Sequence, residues 1–189
     1  MKALLASPAD WISPQDDGES GDYQGDPPAA DGRKVSIADT DHIYGTGGDA
    51  AWVWKTFTRG HNPIYMDPIR WDRSLRVSEA DLEGARRAMG RTSRFAERVN
   101  LAAMKPAGDI ASTKFCMADP GREYLVYQPK GGEAFSVMLK AGSYRCEWFD
   151  VAKGTTVSGG SIRVVDGPQR FEAPSDLSED VALHMKLMD

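Results

Sequence analysis

Cysteine is scarce. The 189-residue chain holds 2, too few for the disulfide framework that staples small secreted domains. Histidine is almost as rare, at 3, so imidazole ligands for a transition metal are few. No apolar run approaches the roughly 18 residues that read as a membrane span. An excess of positive charge is also missing. The formal net charge is −5, which argues against the broad basic face of a sequence-independent nucleic-acid binder. The opening MKALLASPAD has a short apolar patch, but Asp10 and Trp11 interrupt it too soon for a signal-peptide core. Length is the last shortage. A complete (β/α)8 barrel takes about 200 residues or more, so this chain cannot hold one with anything appended. The rest is ordinary globular usage, 41% hydrophobic and 27% charged, enough to bury a core in one large domain or two small ones.

Residues 1–34 read as loop, with Pro8, Pro14, Pro27, Pro28 and a set of aspartates from Asp16 to Asp31. Val35–Ala38 reads as a short strand ending in Asp39-Thr40-Asp41-His42. Asp49 reads as the N-cap of a helix running to Phe57, with Gly60 as its stop. Asn62-Pro63 reads as a turn and Ile64–Met66 as a second strand, so the order is βαβ. Ser78 opens the longest helix, whose stripe of Leu82, Ala85, Met89, Ala96 and Val99 has helical spacing. After Gly108 the period becomes two. Strands are expected at 113–117, 123–128, 134–139, 143–149, 161–165 and 181–187, which is the signature of an antiparallel sandwich. Cys116 and Cys146 fall on separate strands of it, as two buried thiols or as a pair if those strands face each other.

Two stretches carry a resemblance. DTDHIYGTGGDAAWVWKTFTRGHNPIYMDP, residues 39–68, resembles the last part of a bacterial family of apiosidase-like glycoside hydrolases. REYLVYQPKGGEAFSVMLKAGSYRCEWFDVAKGTTVSGG, residues 122–160, is similar to the small β-sandwich, called a collagen-binding domain, that follows their catalytic barrel. The resemblance implies an α/β part followed by an all-β part. Residues 1–106 are then the incomplete C-terminal portion of a (β/α)8 barrel, its last two βα units behind an N-terminal loop, and residues 107–189 are the sandwich. The first six units are expected upstream of Met1. It implies carbohydrate as substrate or ligand, export in the relatives, and no cofactor. The isolated chain is expected to leave parallel strands with open edges and one uncovered face, so that its barrel part is partly unfolded, aggregation-prone or dependent on a partner such as the missing barrel portion, and to be inactive alone. The alternatives are a non-catalytic module binding polysaccharide or a collagen-like partner, and a purely structural accessory domain.

Barrel enzymes work at the C-terminal ends of their strands. Those ends deliver Asp39, Asp41 and His42 from one strand and Asp67 from the next. Glycoside hydrolysis uses two carboxyl groups, so Asp41, Asp39 and Asp67 are the catalytic candidates. Period two puts Asp39 and Asp41 on one side; Asp41 is favoured because His42 adjoins it. No glutamate stands at this strand end. His42, Trp11 and Tyr44 are candidate substrate contacts; Trp52, Trp54 and Trp71 are further aromatics, with one of Trp52 and Trp54, which face different ways on the helix, expected in the core. Asp39-x-Asp41-His42 is a weak metal-ligand pattern, and Gly45-x-Gly47-Gly48 matches neither phosphate-loop fingerprint.

Overall fold

The structure, a computed structural model, describes residues 2–14, 21–41, 48–67, 79–129, 133–178 and 180–188. The chain divides into two units, Met1–Ser93 and Arg94–Asp189. His42, Tyr44, Trp71, Ser78 and the 45–47 part of the glycine run lie outside the described residues.

In the first unit, the stretch read as loop begins with a helix, α1 (Lys2–Ala6), and a strand of two residues, β1 (Trp11–Ile12). Neither element is long enough to leave a periodic signal in sequence. The alternating run Val35–Asp39 forms β2, with Ser36 and Ala38 buried and Val35 exposed. Helix α2 (Ala50–Thr58) starts as its chemistry dictates: the Asp49 carboxylate accepts the Trp52 N–H at 2.6 Å. Gly60, at φ 81°, takes the left-handed conformation that lets the chain leave the helix. The second strand, β3 (Asn62–Ile64), starts earlier than its composition suggests. Proline is tolerated there because β3 ends the sheet. The sheet has the order β1-β2-β3 and is parallel throughout, with Trp11 opposite Val35 and Asp39 opposite Ile64. Trp52 and Trp54 face different ways on α2, yet both are buried; the Trp52 indole N–H donates to the Tyr23 carbonyl at 3.0 Å.

The aspartate- and proline-rich stretch 21–30 is tied down. Lys55 donates to the Gly25 carbonyl, Arg59 pairs with Asp26, and the Ala30 N–H donates to the Arg59 carbonyl. His61 completes the anchoring. Its Nε2 lies 2.6 Å from the Pro28 carbonyl and its Nδ1 lies 2.7 Å from Ser36 Oγ. A carbonyl can only accept, so Nε2 carries the proton and Nδ1 accepts from the Ser36 hydroxyl. Both bonds suit the neutral ring, and burial holds the His61 pKa below its ordinary value. The unfolded chain therefore binds a proton that the folded chain resists. Stability contributed by His61 is full above pH about 6.5 and falls as the pH drops below it. We expect the acid-side loss of unfolding free energy between pH 7 and 5 to be reduced in His61→Gln, measured by urea titration at each pH.

The second unit is antiparallel. After the long helix α3 (Glu79–Arg98), inside which the division between units falls, come β4 (Lys105–Pro106), β5 (Cys116–Asp119), β6 (Glu123–Gln128), β7 (Phe135–Leu139), β8 (Gly142–Asp150), β9 (Thr155–Val164), β10 (Gly167–Phe171) and β11 (Val181–Leu187). They form a six-stranded sheet of order β4-β5-β6-β11-β8-β9 and a two-stranded sheet of β10 with β7. The inner face of the large sheet (Tyr124, Val126, Tyr144, Trp148, Leu183 and Met185) packs with Phe135, Val137 and Leu139 of β7 into one core. Every residue of β6 is buried, because its other face is covered too: Phe115 lies against Tyr127, and Phe95 at the end of α3 lies edge-on to Phe149 and His184. A register shift between Arg145 and Glu147 is matched on β9 by Gly159 and Gly160. Gly160 has φ +75°, and a Cβ on Gly159 would lie 3.0 Å from that of Cys146. Cys116 and Cys146 are both free and buried. Strands β6 and β11 stand between theirs, a separation of about 14 Å at sheet spacing, beyond the reach of a disulfide.

Candidate functional site

Parallel strands concentrate chemistry at their C-terminal edge, where the chain leaves the ladder and side chains are released from packing. In the first unit that edge carries Asp39 at the end of β2 and Ile64 at the end of β3, with Tyr65, Met66 and Asp67 following. Alternation stops at Asp39. Thr40 and Asp41 begin a helical turn, so the expectation that Asp39 and Asp41 share a strand face does not carry across the boundary. Thr40 is buried, and its hydroxyl accepts the Met66 N–H at 2.8 Å, lashing the exits of β2 and β3 together. Asp39 Oδ1 accepts the Asp41 N–H at 3.1 Å. Its Oδ2 has no hydrogen-bond partner among the described residues, and neither does the exposed carboxylate of Asp41.

Asp67 is differently placed. Arg86 of α3 grips it through two bonds, Nε to Oδ2 at 2.6 Å and Nη2 to Oδ1 at 2.8 Å, while also reaching Glu79 at 2.7 Å. The two guanidinium bonds hold the Asp67 carboxyl below the usual carboxylate range. It is therefore ionised at neutral pH and no proton donor. Tyr65, which sequence reasoning did not single out, adjoins it. Burial and then the Asp67 charge raise the Tyr65 hydroxyl above its ordinary pKa. Its position just past β3 was the available signal.

The face of the sheet that bears Asp39 is the open one. Register places Trp11, Val35, Ile37, Asp39 and Ile64 together on it, and the opposite face carries the buried Ile12, Ser36 and Ala38. Trp11 is 60% exposed, Val35 54% and Ile64 45%. Large apolar side chains grouped on a parallel sheet are normally covered. Trp11 lies level with Val35, four residues before Asp39 on β2, so it stands about 13 Å from the carboxylates along the strand. It is at the other end of the same face.

In the second unit the aromatics are committed to packing. Tyr124, Tyr127, Phe135, Tyr144, Trp148 and Phe149 are all buried, and none of its exposed large apolar residues (Leu101, Met138, Val165, Leu187 and Met188) is aromatic. No group of three or more histidine, cysteine, aspartate or glutamate side chains among the described residues could hold a metal. No described helix is long and apolar enough to cross a membrane.

No family model matches the sequence, and no curated protein does. Solved structures do match. One described as a glycoside hydrolase aligns with a TM-score of 0.61 at 12% identity, over 83% of this chain and 43% of its own. A glycoside hydrolase family 5 protein from Bacteroides vulgatus ATCC 8482 aligns with a TM-score of 0.62 at 12% identity, over 83% of this chain and 42% of its own. The chain spans less than half the length of these structures. At that identity the likeness is one of fold: mixed α/β, rich in sheet, of the kind found in part of glycoside hydrolase structures.

Proposed function

We propose that the chain is the C-terminal portion of a glycoside hydrolase-like (β/α)8 protein, the first unit supplying the closing βα units of the barrel and the second an accessory β-sandwich. The observation that carries this reading is the open apolar face of the parallel sheet. In a barrel that face is the interior, filled by layers of side chains from alternate strands. Trp11, Val35, Ile37 and Ile64 are the kind of residue that fills it, and Asp39 stands on the same face at the edge where barrel enzymes hold their reacting groups.

The reading assigns substrate chemistry to that edge. Asp39 is the carboxylate that faces the sugar, as nucleophile or as the base that activates water. The Asp41 N–H bonds one of its oxygens and leaves the other for the reaction. Asp67, neutralised by Arg86, positions the neighbouring exit loop. The proton donor for the leaving oxygen comes from an earlier strand, outside the pair of strand ends described above. With no carboxyl group opposing Asp39 as proton donor among the described residues, the reading makes the chain alone inactive. We expect no hydrolysis of aryl glycosides or plant polysaccharides by the purified chain, and hydrolysis when it is co-expressed with the strand–helix units encoded immediately upstream. Turnover by the chain alone, or an upstream region encoding no such units, would overturn the proposal.

A second reading makes the sandwich a structural buttress or a binding module for polysaccharide or a collagen-like partner. Burial of Tyr124, Tyr127, Phe135, Tyr144, Trp148 and Phe149, with Phe171 half-buried against the same core, favours the buttress over a stacking platform for neutral sugars.

A further inference from the structure

The outer face of the large sheet in the second unit holds a cleft of about 550 Å³, walled by Arg98, Arg145, Glu147, His184 and Lys186. That volume is in the range of small-ligand sites. Its floor is a closed polar network. Buried Glu123 accepts from His184 Nε2 at 2.8 Å and from the Asn100 N–H at 3.0 Å. Glu147 takes Arg98 at 2.5 Å. The remaining cations are less well served. Lys186 reaches Glu123 only at 3.7 Å, and Arg145 has no ion-pair or hydrogen-bond partner among the described residues. These two stand directly opposite each other on β11 and β8. Like charges at directly opposed positions repel, a cost that strands normally avoid. Here the cost is carried inside a concave site on a chain whose net charge is −5.

We propose that this cleft binds the anionic group of an acidic saccharide, with Arg145 and Lys186 as the paired cations that receive a carboxylate. A planar carboxylate fits a guanidinium fork and would relieve the repulsion between the two strands. Arg98, Arg145 and Lys186 set against Glu147 and Glu123 leave a small positive excess, centred on Arg145 and Lys186, that suits a single anionic sugar ring; the long basic stripe that tracks a nucleic-acid backbone is absent from the cleft wall. The saccharide assignment rests on the carbohydrate reading above. The oxyanion assignment rests on the cleft alone.

The test is isothermal titration of the full chain with trigalacturonate, with its methyl ester and with a sulfated trisaccharide. We expect the acid to bind at least tenfold more tightly than the uncharged ester, with affinity falling as salt is raised from 50 to 500 mM. Arg145→Gln with Lys186→Gln should remove the preference without lowering the melting temperature, since both side chains are exposed, neither belongs to the core and their mutual repulsion is relieved. Equal binding of acid and ester, binding of neither, or an undiminished preference in the double variant would overturn the proposal. Preference for the sulfated sugar over the carboxylate would keep the oxyanion site and overturn its carboxylate assignment. Hydrolysis by the complemented barrel is read separately, so failure here leaves that result standing.

Discussion

Asp150→Ala should unfold the sandwich at a temperature lower by roughly 10 °C or more, for a loss of about 3 kcal/mol. Asp150 closes β8 where two chain reversals meet, and its side chain is wholly buried. Oδ1 accepts the Lys153 N–H at 2.8 Å; Oδ2 accepts the Ser178 N–H and the Ser178 hydroxyl, both at 2.9 Å. Lys153 adds its ammonium at 3.1 Å. Burial alone would push the carboxyl up. The hydrogen bonds and the ammonium outweigh it and hold the pKa at about 2. Against the ordinary value near 3.9, that depression corresponds to roughly 2–3 kcal/mol. The sign follows from the depressed value: the stabilisation is complete above pH about 4 and is lost as the pH falls toward 2. Alanine leaves two N–H groups and a hydroxyl without their acceptor. Asparagine keeps the shape but supplies one acceptor oxygen in place of two, so Asp150→Asn should fall between. Thermal melts of the three proteins at pH 7 and pH 3 check this. A difference of under about 3 °C between wild type and Asp150→Ala at pH 7 would show that the turn is held by something else.

In the complemented barrel, Asp39→Asn should lower kcat at least about a thousandfold, as loss of a nucleophile or base does. Asp41→Asn should change it less than about tenfold. The contrast tests which carboxylate reacts. Sequence favoured Asp41 through its neighbour His42, on the assumption that strand alternation continues. The helical turn that starts at Thr40 removes that assumption, and the register puts Asp39 on the open face with Trp11 and Val35. The reverse ranking would return the role to Asp41. Steady-state rates on an aryl glycoside whose release is chemistry-limited decide between them.

How much could be read beforehand depended on whether a signal was local. The Asp49 cap is a short-range bond between a side chain and an amide three residues on, and it was legible. So were β6 and β11, whose ends match the alternating runs 123–128 and 181–187. Strand β10 was hidden because Gly167-Pro168 carries turn chemistry, yet Phe171 and Pro168 find partners on β7. Strand β1 was hidden by its brevity, although it gives the parallel sheet its third member. The anchoring of residues 21–30 depends on His61 and Arg59, whose partners Pro28 and Asp26 each lie 33 residues away. The same limit applies to the candidate sites. Asp39, Asp41 and Asp67 could be nominated because strand ends leave a pattern. The pairing of Arg145 with Lys186 could not, because cross-strand opposition is a product of register.

The most direct measurement is acrylamide quenching of Trp11 in the chain alone and after co-expression with the strand–helix units that the proposal places before it, using Trp11→Phe to isolate its contribution. If the open face is a barrel interior, Trp11 is freely quenched in the lone chain and shielded in the complex. A Trp11 that stays equally quenchable in a stable complex would contradict it.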